Sequence, residues 1–475
     1  MSRRRRVVVV GGGITGLAAA HALVTGADSA GVDLDGEVHE ASGRAGGCLL
    51  TSEVDGLRID AGPDAFLARV PGARELAVAV GLGDQLVAPR ASGARVWSRG
   101  RMRPLPPGLT LGIPGDVVAV ARSGLLSPLG LARAALEPLL PRRDPGDNLG
   151  RLVRARFGGQ VLERLVDPLL GGVYAGDADA MSLAAATPQI ADLATRHRSM
   201  LVAARRNRPP APAPGSVPPP VFLTPRDGLG ALVDAVVAAL PAPTLRCASP
   251  VATLAEVTAD ADAVVLAAPA DVTAGLLAPA APAAARLLSD IPQVSVALVT
   301  LVVPVGDLPA WARPDADPAV SGWLVPKPEQ RTITACSLGS SKWAHWQDPA
   351  GERAVLRVSV GRMGDERALA LADDDLVARV LDDLATHLGR RPSVRAVRVA
   401  RWRRAFPQYA PGHPDRVRRV DAEVADRLPR VVTAGAWRSG VGIPACIRDG
   451  QRAARAVLDA LGGAGTGTGP GTGSA

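Results

Sequence analysis

The chain has 475 residues, roughly three domains' worth of sequence and ample to enclose a ligand in a core. Its composition, 47% hydrophobic and 21% charged, is that of a globular protein, and no apolar run reaches the roughly 18 residues of a membrane-spanning helix. The net charge of +8 rests almost wholly on arginine, since lysine occurs only at Lys327 and Lys342; the arginines are interspersed with acids, which argues against nucleic acid as a partner and favours a basic cleft for an anionic substrate.

The first element is legible in "RRRRVVVVGGGITGLAAAHAL". Val7 to Val10 are four consecutive β-branched residues, as in a strand buried on both faces. Gly11, Gly13 and Gly16 follow as G-x-G-x-x-G, with Gly12 between them, and Leu17 to Leu23 reads as an alanine-rich helix. In that setting the first glycine makes the tight turn, the second admits a pyrophosphate and the third lets helix and strand pack. The phosphates then sit at the helix N-terminus, beside Ile14 and Thr15, where free N–H groups attract anions. An export signal would need a longer unbroken apolar region, so the arginines are a basic lead-in to a strand.

The second strand ends at Val38-His39, and Glu40 is placed for the ribose hydroxyls of an adenosine. It lies 24 residues past Gly16, which an enlarged loop over residues 26–36 explains. Ala41, Arg44 and the pair Gly46-Gly47 follow; a second glycine pair suits a cofactor longer than NAD, with Arg44 against its diphosphate. Residues 85–205 are rich in Leu, Ala and Arg and read as helical, and 206–221 are proline-rich. Residues 222–240 read as a loop and a helix, and 249–269 hold two strand candidates. Residues 290–305, 320–337 and 353–362 are β-rich, and the glycine-rich 462–475 should be disordered. Near the C-terminus "VVTAGAWRSGVGIPACIRDGQRAARAVL" reads as a last strand, a turn at Gly440 and Gly442, and a helix from about Pro444. Cys48, Cys247, Cys336 and Cys446 are far apart, which speaks against zinc or a redox pair and fits a reducing cytoplasm. No histidine pair has metal-ligand spacing and there is no Ser-His-Asp set, so neither a metal site nor a catalytic side chain is nominated.

The strand–GGGxxG–helix and "EASGRAGG" resemble the FAD-dependent amine oxidase superfamily. "GPDAF" at 62–66, "GGVYAGDADAMSL" at 171–183, "SSKWAHW" at 340–346, "FPQYAPGH" at 406–413 and "GVGIPACI" at 440–447 narrow the likeness to the oxygen-dependent protoporphyrinogen and coproporphyrinogen oxidases, from about residue 7 to 461. The resemblance implies an α/β fold: a Rossmann-like FAD-binding domain (1–60, 222–300 and 415–461), a β-rich substrate domain (61–84, 206–221 and 301–414) and a helical cap (85–205). The cap in some relatives touches membranes, so peripheral membrane contact is expected. FAD contacts are implied further at Gly62, Pro63, Asp64, Ala65, Val251 and Trp402. They are also implied at Val441, Gly442 and Ile443, where a helix N-terminus would stabilise negative charge collecting on a reduced flavin.

The reaction implied is removal of hydride from a porphyrinogen by FAD, three times over, with O2 as acceptor and hydrogen peroxide as product in haem biosynthesis. The flavin carries the hard step. Propionate carboxylates call for arginine, with Arg69 the first candidate and Arg438 and Lys342 behind it. The lysine-poor composition resembles proteins of GC-rich actinobacteria, which favours coproporphyrinogen III over protoporphyrinogen IX. The alternatives are an amine oxidase, a carotenoid desaturase, or a non-catalytic dinucleotide-binding regulator. Only two lysines and two tyrosines weigh against an amine site, and the retained GPDAF and YAPGH stretches against a regulator. Oligomeric state is not legible.

Overall fold

The computed structural model describes residues 4–91, 93–141, 146–207, 219–242 and 244–463. The four valines form the middle of a five-stranded parallel sheet. Arg5–Val10 pairs with Leu34–His39 on one side and Ala263–Leu266 on the other. Leu245–Arg246 and Val431–Thr433 complete its edges. Successive side chains point to opposite faces of a strand. Val7 and Val9 therefore join a core with the helices Ile14–Ala27, Leu229–Ala238 and Ile443–Gly463. Val8 and Val10 join another, with Ala270–Leu277, Pro282–Ser289 and His413–Arg427. Helices cover both faces, as a parallel sheet requires.

The larger sheet has seven strands in the order Ala396–Pro407, Gln293–Pro304, Arg353–Val360, Ile333–Leu338, Val320–Leu324, Gly93–Ser98 and Arg101–Pro104. All its pairs are antiparallel except Val320–Leu324 with Gly93–Ser98. Ala297, Val299 and Leu301 pack toward the helix Asp373–Leu388; Val294 and Val296 face the other way, toward Ala175, Trp402 and Phe406. A block of short helices encloses its own core around Leu149, Val153, Phe157, Leu165 and Ile190. Its helices are well capped: Asp116 accepts from the N–H groups of Val118 and Ala119, Asn148 from Arg151, Ser182 from Ala185 and Ser199 from Val202.

Several expected boundaries move. Gln293–Pro304 runs whole in the larger sheet, so the nucleotide-binding part cannot extend to residue 300. Gly93–Ser98 and Arg101–Pro104 are strands of that sheet, not part of the helical block. Residues 61–84 pack on the core of the parallel sheet, through Phe66, Ala73, Leu76 and Ala77. Phe222–Pro225 is a strand between Phe66–Leu67 and Leu86–Val87. In 249–269 there is one strand, Ala263–Leu266; the segment before it is the helix Leu254–Thr258. Thr253 and Glu256 explain this helix: Glu256 accepts from the Ala252 N–H and the Thr253 hydroxyl, a variant of the capping box. The connection after the first helix is shorter than expected, because Gly26 is helical and Gly36 lies in the second strand. The last helix reaches Gly463, and the rest of the glycine-rich tail and residues 208–218 of the proline-rich stretch lie outside the described residues.

Candidate active site

The central strand delivers Gly11 to the carboxyl end of the parallel sheet with φ of +109°. A Cβ there would lie 2.7 Å from the Ala267 carbonyl oxygen, and one at Gly16 would strike the Gly11 carbonyl. These two glycines close the turn. Gly13 has a different part, because nothing lies within 4 Å of where its Cβ would be. It caps the helix Ile14–Ala27, whose first turn holds no acidic residue. Free N–H groups beneath open space make a cradle for a phosphate.

Glu40 stands on the neighbouring loop. One carboxylate oxygen accepts from the Gly12 N–H at 2.8 Å; the other accepts from the Ser42 N–H at 2.8 Å and its hydroxyl at 2.7 Å. These three bonds leave about one of the carboxylate's four lone-pair sites without a bond. Ala41 is exposed beside it. Arg44 turns back on its own loop, donating to the carbonyls of Gly47 at 2.6 Å, Ala45 at 3.0 Å and Leu49 at 3.3 Å. It braces the second glycine turn instead of presenting an unbound guanidinium to a diphosphate. That turn lies on the first: the Gly46 N–H donates to the Gly12 carbonyl, and a Cβ at Gly47 would lie 3.4 Å from the Gly13 Cα. Val251, past the edge strand, is half-buried against the second core.

The turn Gly62-Pro63-Asp64-Ala65 continues the cradle. Gly62 packs so closely on the Cys48 carbonyl that a Cβ would collide with it, while Pro63 is exposed. Trp402 reaches across from the larger sheet and donates to the Ala61 carbonyl at 2.9 Å. The fourth wall is the N-terminus of the 21-residue helix Ile443–Gly463, one residue ahead of its expected start. The Gly442 carbonyl accepts from Ala445 and Cys446, and only the Pro444 Cδ, at 3.9 Å, comes near a Cβ at Gly442. Val441 packs against the helical block. This helix lies so close to Ile14–Ala27 that a Cβ at Gly450, about two turns in from its N-terminus, would strike the Thr15 carbonyl, so the two N-termini lie toward one end of the sheet. Two helix N-termini, with open space before Gly13 and only the Pro444 Cδ near Gly442, are an arrangement that suits anionic groups.

Behind the Gly62–Ala65 turn lies a cluster of charged side chains that the linear sequence does not bring together. Asp64 accepts from Lys342 at 2.9 and 3.0 Å and from the Trp343 indole at 3.1 Å, and Arg357 stands 3.3 Å away. Burial pushes the Asp64 carboxyl up, but Lys342, Arg357 and its hydrogen bonds outweigh that and hold it well below the usual carboxylate range. Arg357 also donates to the Gly62 carbonyl. Asp60 accepts from Thr51 at 2.6 Å and from the Leu229 N–H at 2.9 Å; burial pushes its carboxyl up to about 6 against those bonds and against Arg357. Arg398 donates to the carbonyls of Ile59 and Asp60, and burial together with Arg357 lowers it to about 10.

Two of the expected carboxylate ligands are therefore engaged elsewhere. Lys342 is clamped on Asp64, and Arg438 is buried, paired with Asp421 at 2.6 Å and lying 3.3 Å from Asp449. Arg69 is exposed beyond the strand Phe66–Leu67. Between the larger sheet and the helical block, Val294, Val296, Met363, Trp402 and Phe406 form an apolar wall with Ala175, next to which Val173 is 50% exposed. The wall is held by a buried ion pair, Arg362 to Asp167 at 2.7 Å, and Arg362 donates also to the Gly176 carbonyl. Sequence reading missed Arg357, Arg362 and Arg398 because nothing local marks them; they sit on or beside strands otherwise read only as β-rich.

The family profile for flavin-containing amine oxidoreductases matches residues 14–458. The chain is 34% identical to the coproporphyrinogen III oxidase of Bacillus subtilis, covering 96% of this chain and 98% of that one. It is 37% identical to the coproporphyrinogen III oxidase of Mycobacterium bovis, again over 96% and 98%. A crystal structure from Exiguobacterium sp. 255-15, provisionally assigned as a protoporphyrinogen oxidase, superposes with a TM-score of 0.83 at 31% identity, covering 96% of this chain and 99% of that one. With the double helix-terminus cradle and a match over nearly its whole length, the chain belongs to the flavin-containing amine oxidoreductase family.

Proposed function

We propose that this enzyme oxidises coproporphyrinogen III to coproporphyrin III in haem biosynthesis, with FAD as cofactor, O2 as acceptor and hydrogen peroxide as product. The observation that carries the reading is the full-length likeness to coproporphyrinogen III oxidases. FAD, when bound, supplies the two-electron acceptor. The chain's own part is positioning and electrostatics. The N-terminus at Gly13 holds a diphosphate, and the N–H groups of Gly442 and Ile443, at the positive end of a long helix, favour negative charge on a reduced head group. Met363, Trp402 and Phe406, partly exposed over the buried Val294 and Val296, give a macrocycle an apolar surface. Arg69, exposed near the cradle, is offered to a propionate.

Both lysines of the chain are tied to carboxylates, Lys342 to Asp64 and Lys327 to Asp177 at 2.6 Å, which speaks against a lysine held free for amine chemistry. We place the reaction in the cytoplasm, where the four unpaired thiols stay reduced. Among the described residues no helix is long and apolar enough to cross a membrane. Peripheral contact is assigned to the helical block, where Leu129 is 84% and Leu139 75% exposed; replacing both by Asp should abolish co-sedimentation with vesicles, and unchanged binding would refute the assignment. The reaction itself is tested without oxygen. Coproporphyrinogen III should bleach the absorbance of bound FAD, and air should restore it with release of peroxide. Absorbance indifferent to the porphyrinogen would overturn the reading.

A further inference from the structure

Asp64 is held from three sides, by an ammonium, a guanidinium and an indole N–H, at distances of 2.9 to 3.3 Å. Such a clamp is more than a turn of this length needs to keep its shape. The Ala61 carbonyl is already fixed by Trp402, and Gly62 is seated on the Cys48 carbonyl. The clamp also carries surplus charge. Lys342, Arg357 and Arg398 are three cations around two carboxylates, Asp64 and Asp60. Their side chains are largely or wholly withdrawn from solvent: Arg357 is 6% and Lys342 18% exposed, and Asp60 is fully buried. Charges so placed are poorly screened, and their field reaches the far side of the turn. That side, with Pro63 exposed, continues the wall made by Gly13, Gly47 and Cys48.

Resting on the reading that FAD occupies this cradle, we infer that Lys342 and Arg357, acting through Asp64, are positioning residues that set the flavin's redox poise as well as the shape of the Gly62–Ala65 turn. A flavin that accepts a hydride gains negative charge, so positive charge behind the turn stabilises the reduced form and raises the midpoint potential. Removing Lys342 leaves the Asp64 carboxylate less neutralised and lowers that potential. Removing the charge of Asp64, with its shape kept, exposes the two cations and raises it. A clamp that only kept the turn in place would not give opposite signs.

The test is a dye-coupled measurement of the flavin midpoint potential in the FAD-loaded full chain, for wild type, Lys342→Met, Lys342→Arg and Asp64→Asn, with FAD affinity alongside. The expected result is a lower potential in Lys342→Met, a higher one in Asp64→Asn, and a return toward wild type in Lys342→Arg. Asp64→Asn preserves the side chain's volume, and Lys342→Arg preserves the charge, so at least one arm survives if Lys342→Met fails to fold. Potentials that stay at the wild-type value, or move in the same direction in Lys342→Met and Asp64→Asn, overturn the inference while FAD binding by the wild type stands. A wild type that takes up no FAD overturns the underlying reading and this inference with it.

Discussion

Whether a glycine can be replaced depends on what its missing Cβ would meet. At Gly16 it would meet a carbonyl oxygen, and at Gly13 and Gly442 it would meet open space. Gly16→Ala should therefore lower stability by about 1–3 kcal/mol or more in denaturant unfolding, as overpacking against backbone does. Gly13→Ala and Gly442→Ala should cost less than about 1 kcal/mol, the loss of a helix-capping glycine, yet weaken FAD about tenfold or more. If both open-glycine variants bind FAD as the wild type does, the cradle is misplaced. The G-x-G-x-x-G spacing identified Gly11, Gly13 and Gly16, but which of them close the turn and which leave room depended on Ala267 and on the Gly11 carbonyl, contacts a linear pattern does not contain. Asp60 carries a pH dependence that no motif announced. Its carboxyl is raised from an ordinary 3.8 to about 6, so its contribution to stability is fully present below about 3.8 and is lost as pH rises through 6. Relative to Asp60→Asn, the wild type should gain up to about 3 kcal/mol as pH falls from 7 to 4, read from paired unfolding curves. A constant difference across that range would show that Asp60 is ionised throughout.

At the scale of elements, the first and last helices form one unit although more than 400 positions separate them in the chain. Gly450 lets them touch, and that contact brings both N-termini to one end of the sheet. Gly450→Ala should push them apart, destabilise the chain by about 1–3 kcal/mol and also lower FAD retention, measured by flavin fluorescence released on dilution. Loss of stability with full FAD retention would mean that the two termini do not act on one ligand. These elements were legible because each carries strong local signals: four valines, a glycine turn, a proline in the first turn of the last helix. The helix Leu254–Thr258 was not, because five residues are too few to show a helical period, and Glu256, which accepts from the Ala252 N–H and the Thr253 hydroxyl, decided otherwise. Gly93–Ser98 was hidden for another reason. A short strand followed by a tight turn inside a mostly helical stretch has little periodicity of its own, and its partner Val320–Leu324 is more than 200 residues away.

At the scale of the whole molecule, the helical block and the larger sheet meet at the apolar wall, and the Arg362–Asp167 pair crosses that junction with both side chains about 5% exposed. Arg362→Met leaves Asp167 with only Lys327, 3.8 Å away, and the Ala178 N–H, so it should cost up to about 3–5 kcal/mol in denaturant unfolding and loosen the wall where Ala175 and Gly176 stand. The discontinuous layout was legible only through resemblance, since no composition shift marks where the chain leaves one layer and enters another. Its boundaries moved wherever a strand, such as Gln293–Pro304, proved to belong wholly to one sheet. The most direct test of the whole account is an aerobic assay of the purified protein, with coproporphyrinogen III and protoporphyrinogen IX side by side, following porphyrin fluorescence. The account predicts faster turnover of coproporphyrinogen III, with one peroxide released for each of three two-electron steps. FAD-loaded protein that turns over neither porphyrinogen, or prefers protoporphyrinogen IX, would contradict it.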